Sequence, residues 1–133
     1  TDGTLDAQGA DAEGLLTTLH YADGLKSKRD ADFRLAYAKT YKLQPDVYAV
    51  QGYDAAQMLA IGLNATKGDA KNSAGIAEAL RKAKIDSPRG AFTLSASHNP
   101  VQDIYLRKVV GKENQLEGVA TKSLADPGRG CRM

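Results

Sequence analysis

Along residues 13–21, EGLLTTLHY, two sets of side chains alternate, with Leu15, Thr17 and Leu19 on one side and Leu16, Thr18 and His20 on the other. A period of two, carried by residues at ease on a pleated surface, predicts a strand. Asp23 and Gly24 break it. From Asp30 the spacing changes to three and four, through Phe33, Ala36, Tyr37, Thr40 and Tyr41, which makes one face of an amphipathic helix. Pro45 stops that helix, because the residue before a proline is pushed out of helical geometry.

Residues 46–64, DVYAVQGYDAAQMLAIGLN, are mostly apolar, and Val47, Val50, Met58, Leu59, Ile61 and Leu63 cover several faces of a helix. The pattern predicts a buried helix. Gly68 and Asp69 end it, Ser73 caps a third helix with the stripe Ile76, Ala77, Leu80 and Ala83, and Lys82 and Lys84 suit its negative C-terminal end. After Ser87, Pro88, Arg89 and Gly90 the period returns to two. Phe92 and Leu94 alternate with Thr93 and Ser95; beyond Asn99 and Pro100, Tyr105, Arg107 and Val109 oppose Ile104, Leu106 and Val110. Two paired strands are expected, then a short one over residues 116–121.

A strand, three helices and a run of strands leave the helices with little sheet to cover. Either the helices form a mini-bundle, or the sheet they pack on belongs to chain that is absent; the expectation is that the helix over 46–64 needs a partner surface, from a missing N-terminal part or from another copy.

Composition narrows the classes of function. Of 133 residues, 42% are hydrophobic, and 18 basic side chains face 16 acidic ones. A net charge of +2, evenly scattered, leaves no electrostatic footprint for nucleic acid. No apolar run approaches the roughly 20 residues that cross a bilayer, and Thr1, Asp2 and Gly3 lack the character of a signal peptide, so an export signal would lie outside the chain. The single cysteine, Cys131, has no internal partner, and it is expected in an exposed tail.

Catalytic chemistry lacks a starting motif: the sequence holds no GxSxG, HExxH, CxxC or GxxxxGK[ST] pattern. An enzyme is not expected, and neither a metal nor a cofactor is implied. Asp54 and Glu78 have no spacing that pairs them on one helix face, and a lone acid is more often a cap or a solvated group than a catalyst. His98, before Asn99 and Pro100, reads as a turn residue. Tyr48, Gln51, Gly52 and Tyr53 stand at the start of an otherwise apolar helix, where free backbone N–H groups and a positive dipole end can meet a carboxylate. By composition alone the commoner reading of these tyrosines is core packing with their hydroxyls bonded to neighbours.

Three segments in order, EGLLTTLHY, FRLAYAKTYKLQPDVYAVQGYDAAQMLAIGL and SPRGAFTLSASHNPVQDIYLRKV, together with the ending ADPGRGCRM, carry a resemblance. They resemble the C-terminal third of the leucine/isoleucine/valine-binding protein family and its relatives that bind aromatic acids, the type I periplasmic substrate-binding proteins. The resemblance implies an α/β fold, the C-terminal part of a two-lobed, three-layer αβα architecture closing on a ligand about a hinge. It implies that residues 1–21 end lobe two and enter a hinge strand, that 22–86 are the helical part of lobe one, and that 87–133 return to lobe two and the tail. The implied function is a periplasmic receptor that passes an amino acid or aromatic carboxylate to the membrane permease of an ABC importer. A ligand-sensing domain of a regulator or receptor with the same fold is the alternative. Tyr48 then falls where the family lines its pocket with an aromatic, Gln51 and Tyr53 follow at the same helix start, and His20 lies at the hinge strand with Tyr21. Arg89 precedes a crossing and is a candidate partner for a carboxylate. The lobe-two acid and aromatic contacts fall before Thr1.

Overall fold

The computed structural model describes residues 2–130. A short helix, α1 (Asp2–Gln8), and a 3-10 turn (Gly9–Ala12) lead into β1 (Leu16–Leu19); α2 (Lys28–Tyr41), α3 (Val47–Ala65) and α4 (Ser73–Lys82) follow, then β2 (Thr93–Leu94), β3 (Pro100–Val110) and β4 (Glu113–Leu124). Strand, helices and strands thus come in the expected order. The expected first strand over 13–21 shrinks to four residues, because the 3-10 turn occupies the chain before it and the peptides after it turn into polar side-chain contacts. Cys131 and the end of the tail lie outside the described residues.

β3 is the strand on which the sheet is built. β4 pairs antiparallel with it from Gln102 opposite Leu124 to Val110 opposite Glu113, while β1 lies on the opposite edge, from Leu16 opposite Lys108 to Leu19 opposite Tyr105. β2 pairs with its first residues, Thr93 opposite Val101. The alternation read from the sequence is kept, since Tyr105, Arg107 and Val109 are buried and Val110 is exposed. Gly111 opens the two-residue turn into β4 at φ +61°, a conformation glycine takes without strain. β4 runs far beyond the expected 116–121, because its backbone keeps pairing with β3 whatever its side chains, with bulges near Ile104 and Arg107.

Local chemistry sets the helix starts. Ser27 Oγ accepts the Asp30 amide at 3.0 Å, Asp46 Oδ1 accepts that of Ala49 at 2.8 Å, and Asn72 Oδ1 accepts that of Gly75 at 2.9 Å. The α4 cap is therefore Asn72 and not Ser73, and the helix ends before Lys84. α2 ends at Tyr41 and is capped by Lys42, in the left-handed region at φ 61°, three residues short of Pro45.

The main core joins Tyr21, Phe33, Val47 and Val50 between α2, α3 and the chain leaving β1. A smaller cluster of Leu5, Ala12 and Val109 seats α1 and the 3-10 turn. α3 is not the fully buried helix its composition predicts: Val47, Val50, Asp54 and Gly62 are buried, whereas Leu59 is 59% exposed. Leu35 on α2 is 73% exposed. The apolar faces of the helices are not closed from within the described residues, as the shortage of sheet required.

Where α3 meets α4, a Cβ on Gly62 would lie 2.7 Å from Ile76 Cγ2, on a β-branched side chain with little freedom to retreat. Gly62→Ala should therefore destabilise the fold by about 1 kcal/mol: overpacking of this kind costs roughly 1–3 kcal/mol and outweighs the up to ~1 kcal/mol gained in helix propensity. Urea unfolding of the two proteins measures it, and an alanine variant more stable than the parent would show that the two helices can part.

Candidate functional site

Three stretches of chain converge on one polar junction: His20 and Tyr21 just after β1, one side of α3, and the loop between α4 and β2. The loop is closed at its base by Ile85 and Phe92, both buried, which exchange backbone hydrogen bonds of 2.7 and 3.0 Å. Within it Ser87, Pro88 and Arg89 are buried too, an unusual state for a connection.

Arg89 makes that possible. Its Nε donates to Asp54 Oδ2 at 2.8 Å, with the two side chains only 7% and 5% exposed, and its guanidinium lies 4.3 Å from the centre of the Phe92 ring. Ser87 Oγ donates to the same Asp54 oxygen at 2.9 Å, and Tyr105 OH donates to the Arg89 carbonyl at 2.7 Å. Burial, then Asp103, raises the Tyr105 pKa, which keeps that donor protonated. One turn along α3, Gln57 binds both backbone groups of Asp86, donating to its carbonyl at 2.9 Å and accepting its amide at 2.8 Å. Arg29 of α2 reaches the Asp86 carboxylate at 3.0 Å.

The structure brings three expected residues to this junction. His20 faces Gln51 across 3.3 Å between their Nε2 atoms, and Arg89 is near enough to act on the imidazole. Burial first, then the positive charge of Arg89, lowers the His20 pKa to about 4, with Asp54 opposing and Arg107 adding to the fall. His20 is thus neutral at pH 7 and offers one donor and one acceptor. Tyr48, one turn before Gln51, is 58% exposed and leaves its ring open. Tyr53 turns onto α2, where it meets Phe33 edge-on at 5.1 Å and its hydroxyl bonds Arg29. There it lines an apolar groove of about 370 Å³ with Tyr37 and Tyr41.

Asp54 corrects the expectation of a cap or solvated acid, since it is buried and ion-paired. Sequence reasoning passed over it: Gln51, Asp54 and Gln57 follow at three-residue steps along α3, each turned about 60° from the last, and nothing in that spacing points to Arg89 as the partner. Arg89, the candidate partner for a carboxylate, is buried, and the carboxylate it meets within the chain is that of Asp54. His98 is a turn residue as read, at φ 63°.

A second polar network fixes the segment between β1 and α2. Tyr21 OH donates to Asp30 Oδ1 and accepts from Arg34, both at 2.9 Å; Arg34 also pairs with Asp23 at 3.0 Å, and Arg107 Nη1 donates to the Tyr21 carbonyl at 3.2 Å. Burial raises the pKa of both Tyr21 and Asp30.

Chemically the junction offers hydrogen bonds and charge. Ser87 and Asp54 are in hydrogen-bond contact but shut off from solvent, which suits holding a loop and not meeting a substrate. A cavity of about 280 Å³ also borders Arg89, but Asp103 on its wall sets it against an anion. No cluster of three or more His, Cys, Asp or Glu able to hold a metal occurs among the described residues, and none of their helices is long and apolar enough to cross a membrane.

The mixed helix-and-sheet architecture defines the class: a fragment of the periplasmic-binding-protein fold. The chain belongs to the periplasmic binding protein family, whose model matches residues 1–114. It is similar to the solute-binding protein of a Rhodopseudomonas palustris ABC transporter solved in complex with benzoate, at 41% identity and a TM-score of 0.92, covering 100% of this chain and 37% of that one. It also resembles one from R. palustris BisB5 in complex with 3,4-dihydroxybenzoic acid, at 30% identity and a TM-score of 0.81, covering 96% of this chain and 36% of that one. A leucine-binding protein from Thermotoga maritima shares the fold at 22% identity and a TM-score of 0.75, covering 90% of this chain and 34% of that one. The chain therefore spans little more than a third of the length of these solved relatives. Comparison with curated proteins gives no match.

A histidine held neutral by its surroundings has a definite signature in acid. Unfolded, His20 takes up a proton near 6.5; folded, it does so only near 4. Stability should be independent of this group above pH 6.5 and fall as pH drops from 6.5 towards 4, where the unfolded chain binds the extra proton. An NMR titration of the imidazole should show a midpoint near 4, and His20→Gln should flatten that part of the pH–stability curve. A midpoint near 6.5 would mean that the ring is solvated.

Proposed function

We propose that this chain is the C-terminal part of a solute-binding receptor for an ABC importer, that it serves an aromatic carboxylate, and that it works by closure of two lobes without covalent chemistry. The observation that carries this reading is the 41% identity, over the whole chain, to a solute-binding protein in complex with benzoate. The geometry is of the kind such a ligand needs: an exposed aromatic ring at Tyr48, the Gln51 amide, a neutral His20 and the guanidinium of Arg89 lie about one junction. Tyr53, on the α2 side, contributes through packing.

In this reading residues 1–21 end one lobe and enter the hinge, 22–86 lie on the other lobe, and 87–133 return. Uncovered apolar side chains on α2 and α3 support it, since they need a surface from the remainder of the receptor or from another copy. The partner at the membrane is the transporter permease, and the working compartment is the periplasm. Receptors of this type bind and release, so no turnover is expected.

Calorimetric titration of the receptor containing this chain with benzoate, 4-hydroxybenzoate and leucine tests the proposal. Benzoate or its hydroxylated form should bind most tightly. Tyr48→Ala should weaken that binding by roughly 1–3 kcal/mol, the range for losing a buried aromatic contact at a binding hot spot. Tyr41→Ala, on α2, should leave affinity alone. Preference for leucine would replace the ligand class, and unchanged affinity in a folded Tyr48→Ala protein would remove Tyr48 from the site.

A further inference from the structure

Asp54 uses its carboxylate asymmetrically. Oδ2 accepts from both Arg89 Nε and Ser87 Oγ, at 2.8 and 2.9 Å, whereas Oδ1 is buried with no hydrogen-bond partner. A carboxylate that only balanced the guanidinium charge would do best with a two-bond fork using both oxygens. Here one oxygen holds one nitrogen, and among the described residues Arg89 makes its side-chain hydrogen bond through Nε alone. Phe92 backs the guanidinium at 4.3 Å, and the Arg89 main chain is tied at both ends, its amide to Ser87 Oγ at 3.3 Å and its carbonyl to Tyr105 OH at 2.7 Å. The side chain thus has its root, one edge and one face fixed, while its terminal nitrogens take no bond from the described chain. Asp54 itself has no path to a ligand, since Oδ1 is sealed and Oδ2 is occupied.

We infer that Asp54 is a positioning residue for anion recognition: it aims Arg89, and the terminal nitrogens of Arg89 so aimed take the ligand carboxylate. This rests on the aromatic-carboxylate reading above and adds a residue that no ligand would touch. It also explains why an acid stands beside Gln51 on a helix otherwise rich in apolar residues.

The test separates placement from charge and from packing. In the receptor containing this chain, calorimetry gives the affinity ratio of benzoate to benzamide, of the same shape but uncharged. Arg89→Met should reduce the ratio at least tenfold; if it does not, the carboxylate reading of Arg89 fails. Given that loss, Asp54→Glu, which keeps the charge but shifts its oxygens by one methylene, should also reduce the ratio at least tenfold. Asp54→Asn keeps an oxygen for Nε and Ser87 at the same place and should hold the ratio within about threefold. An intact ratio in Asp54→Glu overturns the positioning role while sparing the reading of Arg89. Equal losses in the Glu and Asn variants also overturn it, because Asn keeps the oxygen that aims Nε, and a loss in Asn with the ratio intact in Glu overturns it in favour of charge. A purely structural role would lower melting temperature and both affinities together with the ratio unmoved, which also overturns it. If Asp54→Glu does not fold, Asp54→Ser, too short to reach Nε, takes its place with the same expectation.

Discussion

The buried ion pair between Asp54 and Arg89 is the contact on which the junction depends. Two charges removed from water attract strongly, but their desolvation cost is comparable, so the pair adds little net stability. Its force lies in the asymmetry: with one partner gone, the other is left charged and buried, at a cost of about 3–5 kcal/mol. The loop from Ile85 to Phe92 therefore cannot lift from α3 without exposing both groups together. That condition makes a buried connection tolerable, because its backbone polar groups need partners that a free loop would find in water.

Those partners come from far along the chain. Tyr105 supplies the Arg89 carbonyl, Gln57 both backbone groups of Asp86, and Arg107 the Tyr21 carbonyl. Where sheet pairing stops, side-chain donors and acceptors take over, and the chain passes from β1 to α2 and from α4 to β2 with its backbone groups held by polar contacts beside the buried Tyr21, Ile85 and Phe92. Hydrogen bonds are directional, and a junction made of them fixes an angle more sharply than a greasy contact does. The same arrangement leaves His20 half-buried beside cations, hence neutral.

Much of the fold could be read from short-range rules. Ser27, Asp46 and the 33–36–37–40–41 spacing act over four residues or fewer, and the helices stand where these place them. α1 was not legible: of residues 4–8 only Leu5 is buried, which makes no stripe to read, and Leu5 is seated by Val109, about a hundred residues away. β4 was only half legible, because beyond Thr121 it continues through a register shift to Leu124 opposite Gln102, with the Ser123 amide held by Asp103 Oδ1, and neither leaves a pattern. At the site, His20, Gln51 and Tyr48 were reachable from position and residue type. Asp54 was not, since its partner lies 35 residues on and a lone acid carries no signal of what it will meet.

The distribution of apolar surface completes the physical account. Single exposed leucines are ordinary on any protein and need no explanation. Here Leu35, Tyr48 and Leu59 stand out from the helices and Leu16, Val119 and Leu124 from the strands, so both sides of the junction present apolar residues while the junction itself is polar. That reverses the usual order of a small domain, in which one apolar core lies inside and polar groups face out. The inversion makes sense if each side contributes to a separate core and the polar seam is where two cores meet. Apolar packing on each side then decides which residues stay together, while the directional bonds of the seam set the angle at which the two sides meet.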